Sequence, residues 1–242
     1  MKKILTFLSD FGVKDSYAAQ VKGRILNSAP DVNIIDITHE CGRFDIISGS
    51  WLLHTSWKYF PKNSVHLAVV DPGVGTKRAI LVLEKDGHFF IGPDNGIFSF
   101  IYPAEKIFEV TWRPKAEVSP TFHARDIMAP VAAMLLNGIQ PATLGIPKKN
   151  AISFDASSPM IVHIDGFGNV ITNIGFESLN GCGVTVNNTF IGRTASTYWD
   201  IAEGEIALIK GSAGTVEFSA NMKSAADILK ASTGMPVIIM KG

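Results

Sequence analysis

The chain lacks an excess of either charge. Its 22 Lys and Arg are matched by 22 Asp and Glu, and only 18% of its residues are charged. No basic stripe stands out, which argues against nucleic acid or another polyanion as partner. Cysteine is scarce: Cys41 and Cys182 lie far apart and form no CxxC pair. Free thiols, buried or half-buried in a reducing compartment, are expected over a disulfide or a zinc site. The six histidines are scattered without metal-ligand spacing, so no metal is expected. No run approaches the roughly 18 apolar residues of a membrane span. The apolar stretch that follows Met1-Lys2-Lys3 is interrupted within a few residues, so no signal peptide is expected. A soluble, cytoplasmic protein is expected. Internal repeats and low-complexity tracts are missing too.

What is present is a hydrophobic fraction of 46% over 242 residues, enough for a substantial core in one large or two modest domains. Up to about residue 150, β-type runs alternate with helical segments. Strands are expected at Ile4–Leu8, Val32–Ile37, Val65–Val70, Ala79–Leu83, His88–Ile91 and Ile107–Thr111. Helices are expected from the Asp15-Ser16 cap to about Asn27, from Asp45 to about Phe60, briefly after Gly96, and from about Ala124 to Leu136. Pro130 falls early in the last of these and is expected to bend it or delay its start. Such alternation implies an α/β domain, residues 1–150, with a mostly parallel sheet. Beyond it, short β-type runs separated by turns dominate, with one helix near Lys223–Leu229. Residues 151–242 thus read as a small antiparallel β-barrel or sandwich.

Four loops of the first domain carry polar groups after strands or before helices: Ser9-Asp10, Asp71 to Arg78, Asp94-Asn95 and Thr121 to Asp126. Parallel strands would bring several of them to one sheet edge, where open α/β sheets build their sites. In Val69-Val70-Asp71-Pro72-Gly73-Val74-Gly75-Thr76-Lys77-Arg78, a strand delivers an acid into a glycine-rich turn. An arginine near a carboxylate holds the acid ionised and orients it, although the same spacing suits an ordinary surface ion pair. His123, just before a helix, has the type of a general acid or base, and also that of a histidine tied to a helix end. Asp126 suits the helix dipole, with Arg125 as its surface partner. In the second domain, Asp165-Gly166-Phe167-Gly168-Asn169 is a hairpin that can present an acceptor and an amide. Tyr198-Trp199 can stack on a purine or cover the barrel end. Gly211-Ser212-Ala213-Gly214 is a turn or a set of anion-binding N–H groups.

Taken in order, these segments, with Asn221 near the end, resemble the S-adenosyl-L-methionine (SAM) hydroxide adenosyltransferases, adenosine-forming SAM hydrolases related to the fluorinases and chlorinases. The resemblance implies an α/β domain followed by a β-barrel domain. It implies a homotrimer, each SAM lying between one subunit's first domain and a neighbour's second. The reaction it implies is attack of water or hydroxide at the ribose C5′, releasing L-methionine and adenosine, with SAM as substrate and no cofactor. Asp71, Arg78 and His123 fall where the family handles the water; which of them takes the proton stays open. Asp10 would accept from the ribose hydroxyls, and Phe44 and Phe122 would border the ligand. Asp165 and Ser212 would take the amino-acid end, and Asn169 and Tyr198 the adenine. Asn95, Asn221 and Met222 complete the implied substrate-binding set. Two positions depart from the pattern: Ala213 replaces the fluorinase arginine, and Ala124 stands where hydrolases more often have glycine.

Three other readings compete. A halogenase would need a halide pocket, from which Asp71 would repel the anion. A metal-dependent phosphoesterase would use Asp10, Asp71, Asp94, Asn95 and His123, but the first strand is not followed by Asp-x-His. A SAM or nucleoside sensor would bind without turnover.

Overall fold

The apolar run Ile4–Leu8 forms the inner part of strand β1 (Lys3–Ser9), buried on both faces. Leu5 and Phe7 pack with Val21 and Ile25 of helix α1 (Tyr17–Leu26), and Leu8 packs with Leu53 of α2 (Ile46–Ser56). A central strand covered by helices on two sides explains why its sequence is continuously apolar rather than alternating. The computed structural model describes residues 2–241. The chain divides into two compact units, one ending at Phe154 and the other beginning at Asp155.

The first unit continues through β2 (Val32–Thr38), β3 (Val65–Val69), β4 (Ile80–Lys85), β5 (His88–Pro93), β6 (Lys106–Val110), α3 (Ala129–Leu136), α4 (Pro141–Leu144) and β7 (Gly145–Pro147). Its sheet has seven strands in the order β2-β1-β3-β5-β4-β6-β7. The expectation of a mostly parallel sheet holds for half of it. β2, β1, β3 and β5 are joined in parallel, whereas β4, β6 and β7 enter antiparallel. The cause lies in the Asp86-Gly87 turn, where φ is +51° and +81°. Such a two-residue turn folds β4 back onto β5 as a hairpin; β6 then pairs antiparallel with β4, and β7 with β6, so strand direction alternates beyond β5.

Asp45 caps α2, accepting the Ser48 N–H at 2.9 Å. Ser16 occupies the cap of α1, but its hydroxyl accepts from Gln20 at 2.9 Å rather than from the backbone. The short helix expected after Gly96 is a run of turns whose Ile97, Phe98 and Ile101 side chains are buried. The helix expected from Ala124 to Leu136 is in two parts, a wide π-turn over Ala124–Met128 followed by α3. Pro130 has no N–H to give to the carbonyl four residues back, and the backbone takes the wider spacing just before it.

The second unit contains β8 (Ile161–Ile164), β9 (Val170–Gly175), β10 (Gly183–Val186), β11 (Thr189–Ile191), β12 (Ile206–Lys210), β13 (Thr215–Ala220), α5 (Ala225–Leu229) and β14 (Ile238–Met240). They form two antiparallel sheets, β12-β13-β9-β8 and β11-β10-β14. Single bridges, Thr194 with Leu208 and Met160 with Pro236, lie between them. Strand β11 escapes the pattern of apolar runs because it is short. It is formed by the Asn187-Asn188 turn, with φ of +47° and +62°, which returns the chain along β10. Val170, Val184, Leu208, Val216 and Phe218 fill the core of this unit.

Candidate active site

Asp71 follows the end of β3 and begins the long connection to β4. Successive tight turns, Val74 N–H to the Asp71 carbonyl at 3.2 Å and Thr76 N–H to the Gly73 carbonyl at 3.1 Å, coil the loop back on itself. They bring Arg78 beside Asp71. Arg78 Nε donates to Oδ1 at 2.9 Å and to Oδ2 at 3.0 Å, and Nη2 donates to Oδ2. The two side chains are only 8% and 6% exposed, so this is not a surface ion pair. The fork holds the carboxylate in one plane and one orientation.

The same Nη2 lies 3.1 Å from His123 Nδ1. Guanidinium has only donors, so Nδ1 is the acceptor, and a neutral His123 carries its proton on Nε2. Burial and the adjacent guanidinium hold His123 below the ordinary histidine range, against the opposing pull of Asp71. His123 caps the π-turn before α3. Its loop is placed by Asp126, which accepts the Ser119 N–H at 2.9 Å and two bonds from Arg125. Asp126 is therefore a loop tie as well as Arg125's partner. Gly75 seals the two loops together: a Cβ there would sit 2.7 Å from the Pro120 carbonyl oxygen, and its φ is +81°.

Asp71 and His123 open onto a cavity of about 260 Å³, which Asp10, Phe44, Phe122 and Tyr17 also line. Asp10 follows β1 and accepts the Phe44 N–H at 2.9 Å. This bond fixes Phe44 in a left-handed conformation with φ +61°, its ring exposed. Burial raises the Asp10 carboxyl above its ordinary range, and nearby Asp71 adds to the shift. Phe122 packs edge-on against Phe11 and Tyr17. Tyr17 reads in the sequence as one more apolar position of α1, and only the fold shows it at the cavity. Asn95 does not line this space. Its amide donates to the Val70 carbonyl at 2.7 Å and accepts from Ile97, bracing the strand end that carries Asp71. Asp94 is likewise occupied, accepting the Ile152 N–H at 2.7 Å. Among the described residues, no group of three His, Cys, Asp or Glu side chains is placed to hold a metal ion.

The second unit has its own cavity, of about 590 Å³. Asp165, Asn169, Tyr198, Asn221 and Met222 all line it, together with Trp199. Asp165 is the hinge of its hairpin: Oδ1 accepts the N–H groups of Phe167 and Asn169, and Oδ2 accepts the Asn169 amide, each at 2.9 Å. Asn221 donates to the Ile201 carbonyl at 2.9 Å. Met222 and Trp199 are both 82% exposed. Ser212 lies apart, exposed in the β12–β13 turn and outside the lining of this cavity. Glu217 of β13, which the sequence did not mark, is buried and receives the Tyr198 hydroxyl at 3.4 Å.

A carboxylate, a guanidinium and an imidazole in hydrogen-bonded series, facing a small cavity beyond the carboxyl ends of parallel strands, are the layout of an enzyme that acts on a small molecule. Residues 5–145 match the SAM hydroxide adenosyltransferase N-terminal domain, and residues 159–238 match the C-terminal domain. The chain belongs to the SAM hydroxide adenosyltransferase family. It is 41% identical over 186 residues to the (R)-S-adenosyl-L-methionine hydrolase of Methanocaldococcus jannaschii, covering 71% of this chain and 66% of that protein. It is 34% identical to the (R)-S-adenosyl-L-methionine hydrolase of Thermus thermophilus, covering 97% of this chain and 98% of that protein. Fluorinases are more distant relatives. A crystal structure of a conserved protein from Thermotoga maritima superposes with a TM-score of 0.90 at 32% identity, covering 97% of this chain and 99% of that one.

Proposed function

We propose that the protein hydrolyses SAM to adenosine and L-methionine, with Asp71, Arg78 and His123 as its catalytic set. The observation that carries this reading is the hydrogen-bonded series from the buried Asp71–Arg78 pair to His123 at the cavity wall. Water attacks the ribose C5′ as the C5′–S bond breaks, and the bonding pair leaves with sulfur. The leaving group is a neutral thioether and needs no acid. The difficulty is water, a weak nucleophile that must lie in line with the breaking bond.

The bonding at His123 divides the labour. With Nδ1 accepting from Arg78, the neutral ring offers Nε2–H as a donor that holds the water's oxygen. Asp71 then takes the proton, which becomes strongly acidic as the oxygen bonds to carbon. Asp10 receives the ribose hydroxyls, with Phe44 and Phe122 beside the sugar. Asn169, Tyr198, Asn221 and Met222 form the adenine side, and Asp165 and Ser212 the amino-acid side. Asn95 acts by bracing Asp71. No cofactor takes part.

The assembly that goes with this reading is a homotrimer, as the family resemblance implies, and light scattering on the purified protein tests it. The bridges at Thr194–Leu208 and Met160–Pro236 support a closed barrel in the second unit. Incubation with SAM and chromatography of the products tests the reaction: adenosine is expected, and a 5′-halo-adenosine in the presence of chloride or fluoride would replace hydrolysis with halogenation. Asp71→Asn and His123→Ala are each expected to lower kcat by about 10²-fold or more with a small change in KM. Wild-type turnover in both variants would remove the proposed set.

A further inference from the structure

Glu217 is a carboxylate without a counter-charge. It is 6% exposed, and its one side-chain partner is the Tyr198 hydroxyl at 3.4 Å, on Oε1. No cation faces it among the described residues; besides burial, only Asp165 and Tyr198 act on it. Two residues along β13, Ser219 is fully buried, and its hydroxyl has no hydrogen-bond partner. Strand alternation sets Glu217 and Ser219 on the face away from the Val216–Phe218 core, the face that Asn221 continues. Ile171 lies directly across from Glu217 on β9, so Asn169, two residues earlier, shares that face. Asn169 and Asn221 both line the second unit's cavity. A buried carboxyl and a buried hydroxyl, both short of partners on one face, are costly to keep unless something satisfies them.

Gly211 shows which way the second oxygen of Glu217 points. Its φ is not in the left-handed region, so no turn requires glycine there. A Cβ at Gly211 would sit 2.4 Å from Glu217 Oε2 and would displace that carboxylate. The side of Glu217 that is free of Tyr198 therefore faces the β12–β13 turn that carries Ser212. Asp165, the other acid near this space, already accepts three hydrogen bonds that hold its own hairpin. Glu217 has the spare acceptor capacity.

We propose that Glu217 is the specificity residue for the α-ammonium group of the substrate's amino-acid end, with the Ser219 hydroxyl as a second acceptor. The assignment rests on SAM being the substrate. An ammonium supplies both the missing charge and up to three donors; adenine and ribose carry donors without charge, and the sulfonium carries charge without an N–H or O–H donor. Burial, with Asp165 nearby, raises the Glu217 carboxyl above its ordinary range in the free protein, and an arriving cation restores its charge.

The test compares SAM with its desamino analogue, which keeps the sulfonium and the carboxylate. Wild type is expected to favour SAM by about 10- to 100-fold in kcat/KM, the range of one charge-assisted hydrogen bond. Glu217→Gln should lose that preference, with KM for SAM rising, kcat nearly unchanged and the analogue handled as by wild type. Gly211→Ala, which keeps the charge and fills the space before Oε2, should show the same selective loss. Unchanged kinetics on SAM in Glu217→Gln, or equal losses on both substrates, would overturn the proposal. If wild type releases no adenosine from SAM, the hydrolase reading fails separately. Calorimetry with L-methionine and 4-(methylthio)butanoate then decides: amine-selective binding that Glu217→Gln abolishes supports the assignment, and unselective or absent binding refutes it.

Discussion

Arg78 spends its guanidinium on both oxygens of Asp71 and on His123, and a lysine at that position has one charge centre for three tasks. Arg78→Lys is therefore expected to keep net charge and fold yet lose about 10²-fold in kcat; steady-state kinetics with SAM measures it. Burial and Arg78 both hold His123 neutral, so protonating it takes a pH below the ordinary value of 6.5. The acid limb of the kcat/KM profile should accordingly lie below pH 6.5, and a limb at or above it would deny His123 the proposed role. Burial, with smaller contributions from Asp10 and Asp45, pushes the Cys41 thiol up to about 12. It should resist alkylation at neutral pH until the protein unfolds. Asp71, Arg78 and His123 are legible in the sequence because each sits in a loop whose chemistry differs from its flanks. Glu217 is not. It lies within Val216-Glu217-Phe218-Ser219, an alternation that normally marks a strand with one wet face. Here that face is buried, beside Ile201, Ala207 and Ile209.

At the scale of elements, the Asp71–Arg78 loop and the His123 loop are separate pieces of chain that meet at Gly75 and Pro120. Gly75→Ala adds a methyl group at 2.7 Å from a carbonyl oxygen and a side chain at φ +81°. The expected cost is about 1–3 kcal/mol in urea unfolding, with a fall in kcat larger than stability alone explains, because the loops are pushed apart. Wild-type kcat in that variant would show that the loop contact does not set the catalytic geometry. The sequence shows the longer strands and helices and the Asp45 start of α2 because each follows a period or a capping rule, while short elements such as β7 and β11 escape it. It does not show the π-turn before α3 or the turns after Gly96. Both are settled by packing around Pro130 and around Phe98, which no local pattern encodes.

For the whole molecule, acid stability turns on a buried histidine pair. His66 Nδ1 meets the Thr6 hydroxyl at 2.8 Å and Nε2 meets His88 Nδ1 at 3.1 Å, with Trp57 and Phe90 around them. Burial, then His88, lowers His66 to about 3 from an ordinary 6.5. In that window the unfolded chain binds a proton that the folded one refuses, so stability falls as pH drops below 6.5 and levels off near 3. From pH 8 to pH 5 the loss from His66 alone is about 2 kcal/mol, to be read from urea midpoints; a pH-independent midpoint would contradict it. The strand order carries a kinetic consequence. β4 and β5 are a local hairpin, but β5, not β4, lies against β3. The segment from Asp71 to Arg78 must therefore span the end of β5, and its two ends are held only once the hairpin has docked on β3 through β5. Collapsed chains with the hairpin formed but undocked would carry every catalytic residue and no catalytic geometry. On refolding from denaturant, SAM cleavage should return after secondary structure has recovered, because docking adds the non-local pairing of Val65 with Phe89 to a local hairpin.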